Sequence, residues 1–93
     1  MKCVLAGELY LHQKNYALAR LWLTRGLDFE PGSEKSYHAT AYFNLGKALL
    51  AEERLEDALS VFGEAQKAFI FNGDETNADL CMVIMADIRR AQQ

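Results

Sequence analysis

Two histidines, two cysteines and one acidic cluster are the residues of this 93-residue chain whose types could do chemistry. His12 and His38 would serve as metal ligands or general bases with a partner at ligand spacing, and neither has one. Each reads as an ordinary surface histidine. Cys3 and Cys81 stand 78 residues apart and belong to no CxxC pair. That spacing argues against a disulfide framework and for free thiols in a reducing, cytoplasmic setting. Both lie in apolar stretches, where a thiol behaves as a small hydrophobe. Glu52, Glu53, Glu56 and Asp57 surround Arg54. They read as a solvated turn and a helix start, where the helix dipole favours carboxylates, rather than as an acid–base pair. No nucleophile elbow, P-loop or dinucleotide fingerprint is present. The expectation is therefore no enzyme, no cofactor and no bound metal.

Composition narrows the alternatives. Hydrophobic residues make up 51% of the chain and charged residues 25%, which suits one small folded domain rather than disorder. One proline and six glycines among many Ala, Leu and Glu favour helix over strand. A net charge of −3 argues against a nucleic-acid surface and against attraction to an anionic membrane. No apolar run approaches the ~18 residues of a membrane span. The apolar start after Lys2 is broken at Glu8, unlike a signal peptide.

The periodicity predicts five helices. The first covers about Lys2 to Gln13, before a polar break at Gln13-Lys14-Asn15. The second covers about Tyr16 to Phe29, with Leu18, Leu21, Trp22, Leu23 and Leu27 at helical spacing, and Pro31-Gly32 ends it. Trp22 is expected between helices. Ser33 or Ser36 caps the third helix, which runs to about Ala51. The fourth covers about Leu55 to Phe71 and closes on Asn72-Gly73, with glycine in a left-handed cap. Asp74 caps the fifth, which runs to about Ala91. No stretch alternates with period two, so no sheet is predicted.

These segments repeat. A shift of 39 residues carries Gly7 onto Gly46, Tyr10 onto Leu49, Tyr16 onto Leu55, Ala19 onto Ala58, Leu23 onto Phe62 and Gly26 onto Ala65. A shift of 40 carries Leu45-Gly46 onto Met85-Ala86. Small residues fall on small ones and large apolar residues on large ones, as expected where two helix axes approach closely.

Ala6-Gly7, Tyr10, Ala19, Leu23, Gly26 and Pro31 resemble the tetratricopeptide repeat in order and kind, as do Tyr42, Leu45-Gly46, Leu49, Ala58, Phe62 and Ala65. The usual repeat has 34 residues. The longer spacing is similar to the stretched repeats of kinesin light chains and cell-polarity adaptors. The resemblance implies an all-α, right-handed superhelix of antiparallel helix pairs, with five helices in about two and a half repeats. A first repeat would cover about 1–33, a second 34–73 and a half repeat 74–93, as part of a longer array.

It also implies a function: a non-catalytic interaction or scaffold module that holds a peptide or helix of a partner protein in a concave groove. The family's geometry would place Val4, Glu8, Leu11 and His12 in that groove, then Thr40, Phe43, Asn44, Lys47 and Leu50, then Val83, Asp87 and Arg90. Asn44 stands where the stretched subgroup has asparagines that hold a peptide backbone, although Leu5 and Ile84 stand there in the other copies. A solvated or capping role is its plainer reading, and Phe43 has packing against the next helix as its plainer reading. Lys47 is the only basic residue at the positions of the family's carboxylate clamp, which argues against one. Two alternatives remain. Leu80 to Met85 are six apolar residues in a row, so residues 80–88 could join a second copy as a homo-oligomer. A helical-repeat RNA binder shares the period, but its groove should be basic.

Overall fold

The computed structural model describes residues 2–29 and 35–92, with side chains described over 7–25 and 38–92. It is all-α: α1 (Lys2–His12), α2 (Tyr16–Phe29), α3 (Lys35–Ala51), α4 (Leu55–Phe71) and α5 (Glu75–Ala91), with no strand among the described residues. The expected boundaries hold closely. The cap of α3 differs: the helix begins at Lys35, which puts Ser36 inside its first turn, and Ser33 lies outside the described residues. Pro31-Gly32 lies outside them too.

Three turns are built alike. After α1, the Lys14 N–H donates to the Leu11 carbonyl and the Asn15 N–H to the Tyr10 carbonyl. After α3, Glu53 donates to Leu50 and Arg54 to Leu49; after α4, Gly73 donates to Ile70 and Asp74 to Phe69. This is the paired closure of a helix end in which the middle residue turns left-handed. Lys14, Glu53 and Gly73 accordingly have φ of 61°, 62° and 78°. Each turn frees the next helix after three residues. Asp74 then caps α5, its carboxylate accepting from the Asn77 backbone N–H at 3.2 Å, whereas Arg54 offers α4 no side-chain cap.

Each helix packs on the next in sequence, and α1 also touches α3. Gly7 stands seven residues before Lys14, and Leu23 nine after it. A Cβ on Gly7 would lie 2.5 Å from Leu23 Cγ. Gly46 and Phe62 hold the same places about Glu53, and a Cβ on Gly46 would lie 2.8 Å from Phe62 Cζ. The 39-residue repeat is therefore physical: in each hairpin a glycine admits the large residue of the facing helix. Ala19, Leu23, Ala39, Ala48, Ala58, Phe62 and Ala65 have no exposed surface, and Leu45, Leu49, Phe69, Met85 and Ile88 are among the residues that join them in the core between α2 and α5. The thinnest dimension is 19 Å, room for two helix layers.

Trp22 departs from expectation. It is half-buried and its ring carries the Arg25 guanidinium, 5.5 Å from the centroid. The inward face of α2 is set by Ala19 and Leu23, and Trp22 stands about 100° around the helix from Leu23.

Candidate functional site

The cleft between α1 and α3 begins at a polar pair, one member buried and the other half-buried. Asn44, 7% exposed, donates from Nδ2 to Glu8 Oε1 at 3.1 Å. A buried amide left unpaired would be costly, and Glu8 satisfies it. The solvated reading of Asn44 is thus corrected: the side chain joins two first helices of successive hairpins.

One turn further along both helices, the cleft opens to about 340 Å³, lined by Leu11, His12, Lys14, Tyr16, Lys47 and Ala51. Its shape follows from the backbone. α1 ends at His12, the Lys14 turn starts α2 at Tyr16, and Ala51 closes α3 with a small side chain. Leu11 and Tyr16 are half-buried walls, while His12, Lys14 and Lys47 are exposed. Lys47 Nζ lies 5.3 Å from the Phe43 ring centroid, an attraction worth roughly 0.5–1 kcal/mol at such a site. Phe43 itself meets Phe62 and Phe69 edge-on, with centroids 5.7 and 6.1 Å apart. Phe43 is thus packed onto α4.

The ion pairs among the described residues lie elsewhere: Lys67–Glu64 and Arg90–Asp87 on helix surfaces, and Arg20–Glu52 between elements. Arg20 donates from Nε to Glu52 Oε1 at 2.9 Å and from Nη2 to Oε2 at 3.3 Å, a fork that ties α2 to the α3–α4 turn. Glu52 therefore leaves the solvated acidic cluster expected from the sequence.

Two of the remaining groove candidates meet at a second place. Leu50 and Asp87, with Leu55, Ile84, Ile88 and Ala91, line a notch of about 200 Å³ between α3, α4 and α5. Asp87 is paired with Arg90 at 3.2 Å. Val83 is 58% exposed, Thr40 is exposed, and the Val4 side chain lies outside the described residues. Leu11, His12 and Lys47 thus line one cleft, and Leu50 and Asp87 another. Lys14 and Tyr16 were missed. Their signal was adjacency: a turn that follows the last groove residue, His12, must share its end of the cleft.

Cys81 is free and fully buried, and burial pushes its thiol up from its ordinary value, which disfavours the reactive thiolate. Among the described residues no group of three His, Cys, Asp or Glu could hold a metal ion, and no helix is long and apolar enough to cross a membrane. No family model, curated protein or solved structure matches the chain.

Proposed function

We propose that the chain is a non-catalytic interaction module of tetratricopeptide type, which holds a peptide of a partner protein in the cleft between α1 and α3. One observation carries this reading. The first helices of successive hairpins stand side by side, joined by Glu8–Asn44, with an open cleft one turn away at Leu11, His12 and Lys47. The repeated hairpin supports the family and its superhelix, and the free, buried Cys81 suits a reducing cytoplasmic setting. The mechanism is preorganisation. Close helix packing fixes the cleft before a ligand arrives, so binding orders mainly the peptide. Immobilised dodecapeptides of random sequence, probed with the purified chain, test the reading. Binding competed by soluble peptide and weakened by Leu11→Asp is expected; an array with no binder rejects it.

A second reading has its own observation. Leu80, Met82 and Val83 are 44%, 53% and 58% exposed on α5. The 40-residue shift carries Tyr42 and Phe43, which are half-buried in α3, onto Met82 and Val83. An assembly role would join a second copy through this face. Sedimentation at micromolar concentration distinguishes the two, since a monomer counts against assembly and leaves the cleft reading standing.

A further inference from the structure

One face of α5 is self-complementary in charge. Asp79, Val83, Ala86 and Arg90 follow one another at helical spacing and fall within about 60° around the helix. Ala78, Cys81, Met85 and Ile88, the buried residues of α5, lie on the opposite side. Asp79 and Arg90 are exposed, and Val83 is 58% exposed. The 40-residue shift carries Ala39, Phe43, Gly46 and Leu50 onto these four positions. In α3 that column receives α4: Phe43 meets Phe62 and Phe69, Gly46 admits Phe62, and Ala39 has no exposed surface. A helix laid on α5 as α4 lies on α3 would therefore bury the Asp79 carboxylate. An unpaired buried carboxylate is costly, so the covering helix must bring a cation to that end. An acid at the Arg90 end would complete the match. α5 itself supplies both when turned end for end.

From this pattern we infer that the face is covered by α5 of a second copy, packed antiparallel about a two-fold axis that passes between Ile84 and Met85. This rests on the assembly reading and adds which helices meet, in what direction and on which residues. In that register Asp79 of each copy stands opposite Arg90 of the other, and Val83 stands opposite Ala86. Ala86 holds the place of Gly46, and its small side chain leaves room for the valine, with Met82 beside it. Arg90 already meets Asp87 at 3.2 Å, but those side chains are 75% and 65% exposed, and such a pair contributes little. The five N–H groups of a guanidinium leave donors for Asp79. Arg89 adds a second cation at the same end. A parallel pair would instead set Asp79 against Asp79 and Arg90 against Arg90, which repel. One helix from each copy makes a small interface, so the dimer is a weak one. A two-fold contact also ends at two copies.

Sedimentation equilibrium of the chain across the micromolar range should show monomer and dimer. Asp79→Arg and Arg90→Asp should each weaken the dimer about tenfold or more, because each sets like charges opposite one another at both ends of the contact. The two variants move the net charge in opposite directions, so a shared loss is not an effect of net charge. Mixed together they should form a heterodimer near the parent's affinity, since every 79–90 pair is then opposite in sign. A mixture that stays monomeric overturns the inference. Val83→Glu should abolish the dimer. Lys67→Glu reverses a charge on α4, where the side chain is 78% exposed, and should leave it unchanged; an equal loss there overturns the inference. A dimer indifferent to both reversals overturns the α5 register and leaves the assembly reading intact, whereas a monomer throughout overturns both. Growth beyond two copies overturns the two-fold contact. Circular dichroism of each variant should match the parent, since Asp79, Val83 and Arg90 are exposed.

Discussion

Phe62 lies against the backbone of Gly46 so closely that a Cβ there would meet Cζ at 2.8 Å and both Cε atoms at 2.9 Å. The ring cannot swing aside freely, because Phe43 meets it edge-on. Gly46→Ala gains about 1 kcal/mol of helix propensity. It also overpacks the α3–α4 contact, which typically costs about 1–3 kcal/mol. A net loss of about 1 kcal/mol is expected in the urea midpoint. Phe62→Ala should cost about 3–5 kcal/mol through the cavity left behind. An unchanged or raised midpoint for Gly46→Ala would show that the two helices have room to spare.

The Glu8–Asn44 pair calls for a double-mutant cycle. Glu8→Ala leaves the Asn44 amide, 7% exposed, without its acceptor, and should cost about 1–3 kcal/mol. Asn44→Leu alone strands a part-buried carboxylate. Glu8→Met with Asn44→Leu replaces both partners with apolar groups and should recover most of either loss. Leu5 and Ile84 stand at the places equivalent to Asn44 in the other copies, so an apolar residue there agrees with the repeat. Simple additivity of the two single losses would mean that the contact carries no energy.

Cys81 gives a pH signature. Burial pushes its folded thiol up from its ordinary value, so the folded state holds its proton more tightly than the unfolded state. Stability from this group is therefore full below about pH 8.5, near the unfolded thiol's value, and is lost as pH rises through the higher folded value. In a Cys3→Ser background, the urea midpoint should fall on going from pH 8 to pH 10. Cys81→Ala should flatten part of that fall. A thiol reagent should react with Cys81 only at the rate of unfolding; immediate labelling of the native protein would contradict the burial.

Much of the fold was legible because close helix packing leaves a compositional mark. Gly7 and Gly46, with Ala19 and Ala58 at zero exposure, could stand only where axes nearly touch, so their spacing disclosed the hairpins. The turns were legible as polar interruptions. The site was less so, because its defining contacts join residues distant in sequence. Glu8 and Asn44 are 36 residues apart, and Arg20 and Glu52 are 32 apart. Each of the four alone reads as a solvated polar residue; only the stacking of one hairpin on the next reveals its partner.

The left-handed turns differ in the residue that makes them. Gly73 adopts φ of 78° without a Cβ, whereas Glu53 adopts 62° with one. The backbone hydrogen bonds around them are the same: Glu53 N–H to Leu50 and Arg54 N–H to Leu49 match Gly73 N–H to Ile70 and Asp74 N–H to Phe69. A left-handed conformation costs an L-residue roughly 1–2 kcal/mol, less what glycine loses in backbone freedom. Glu53→Gly should therefore stabilise the protein by about 0.5–1 kcal/mol. Gly73→Ala should destabilise it by a similar amount, although its Cβ would meet nothing within 4 Å. Because the two effects are purely conformational, both should persist in 1 M salt, where a charge effect at Glu53 would be screened. A Glu53→Gly gain that disappeared in salt would assign the benefit to electrostatics and refute the strained turn.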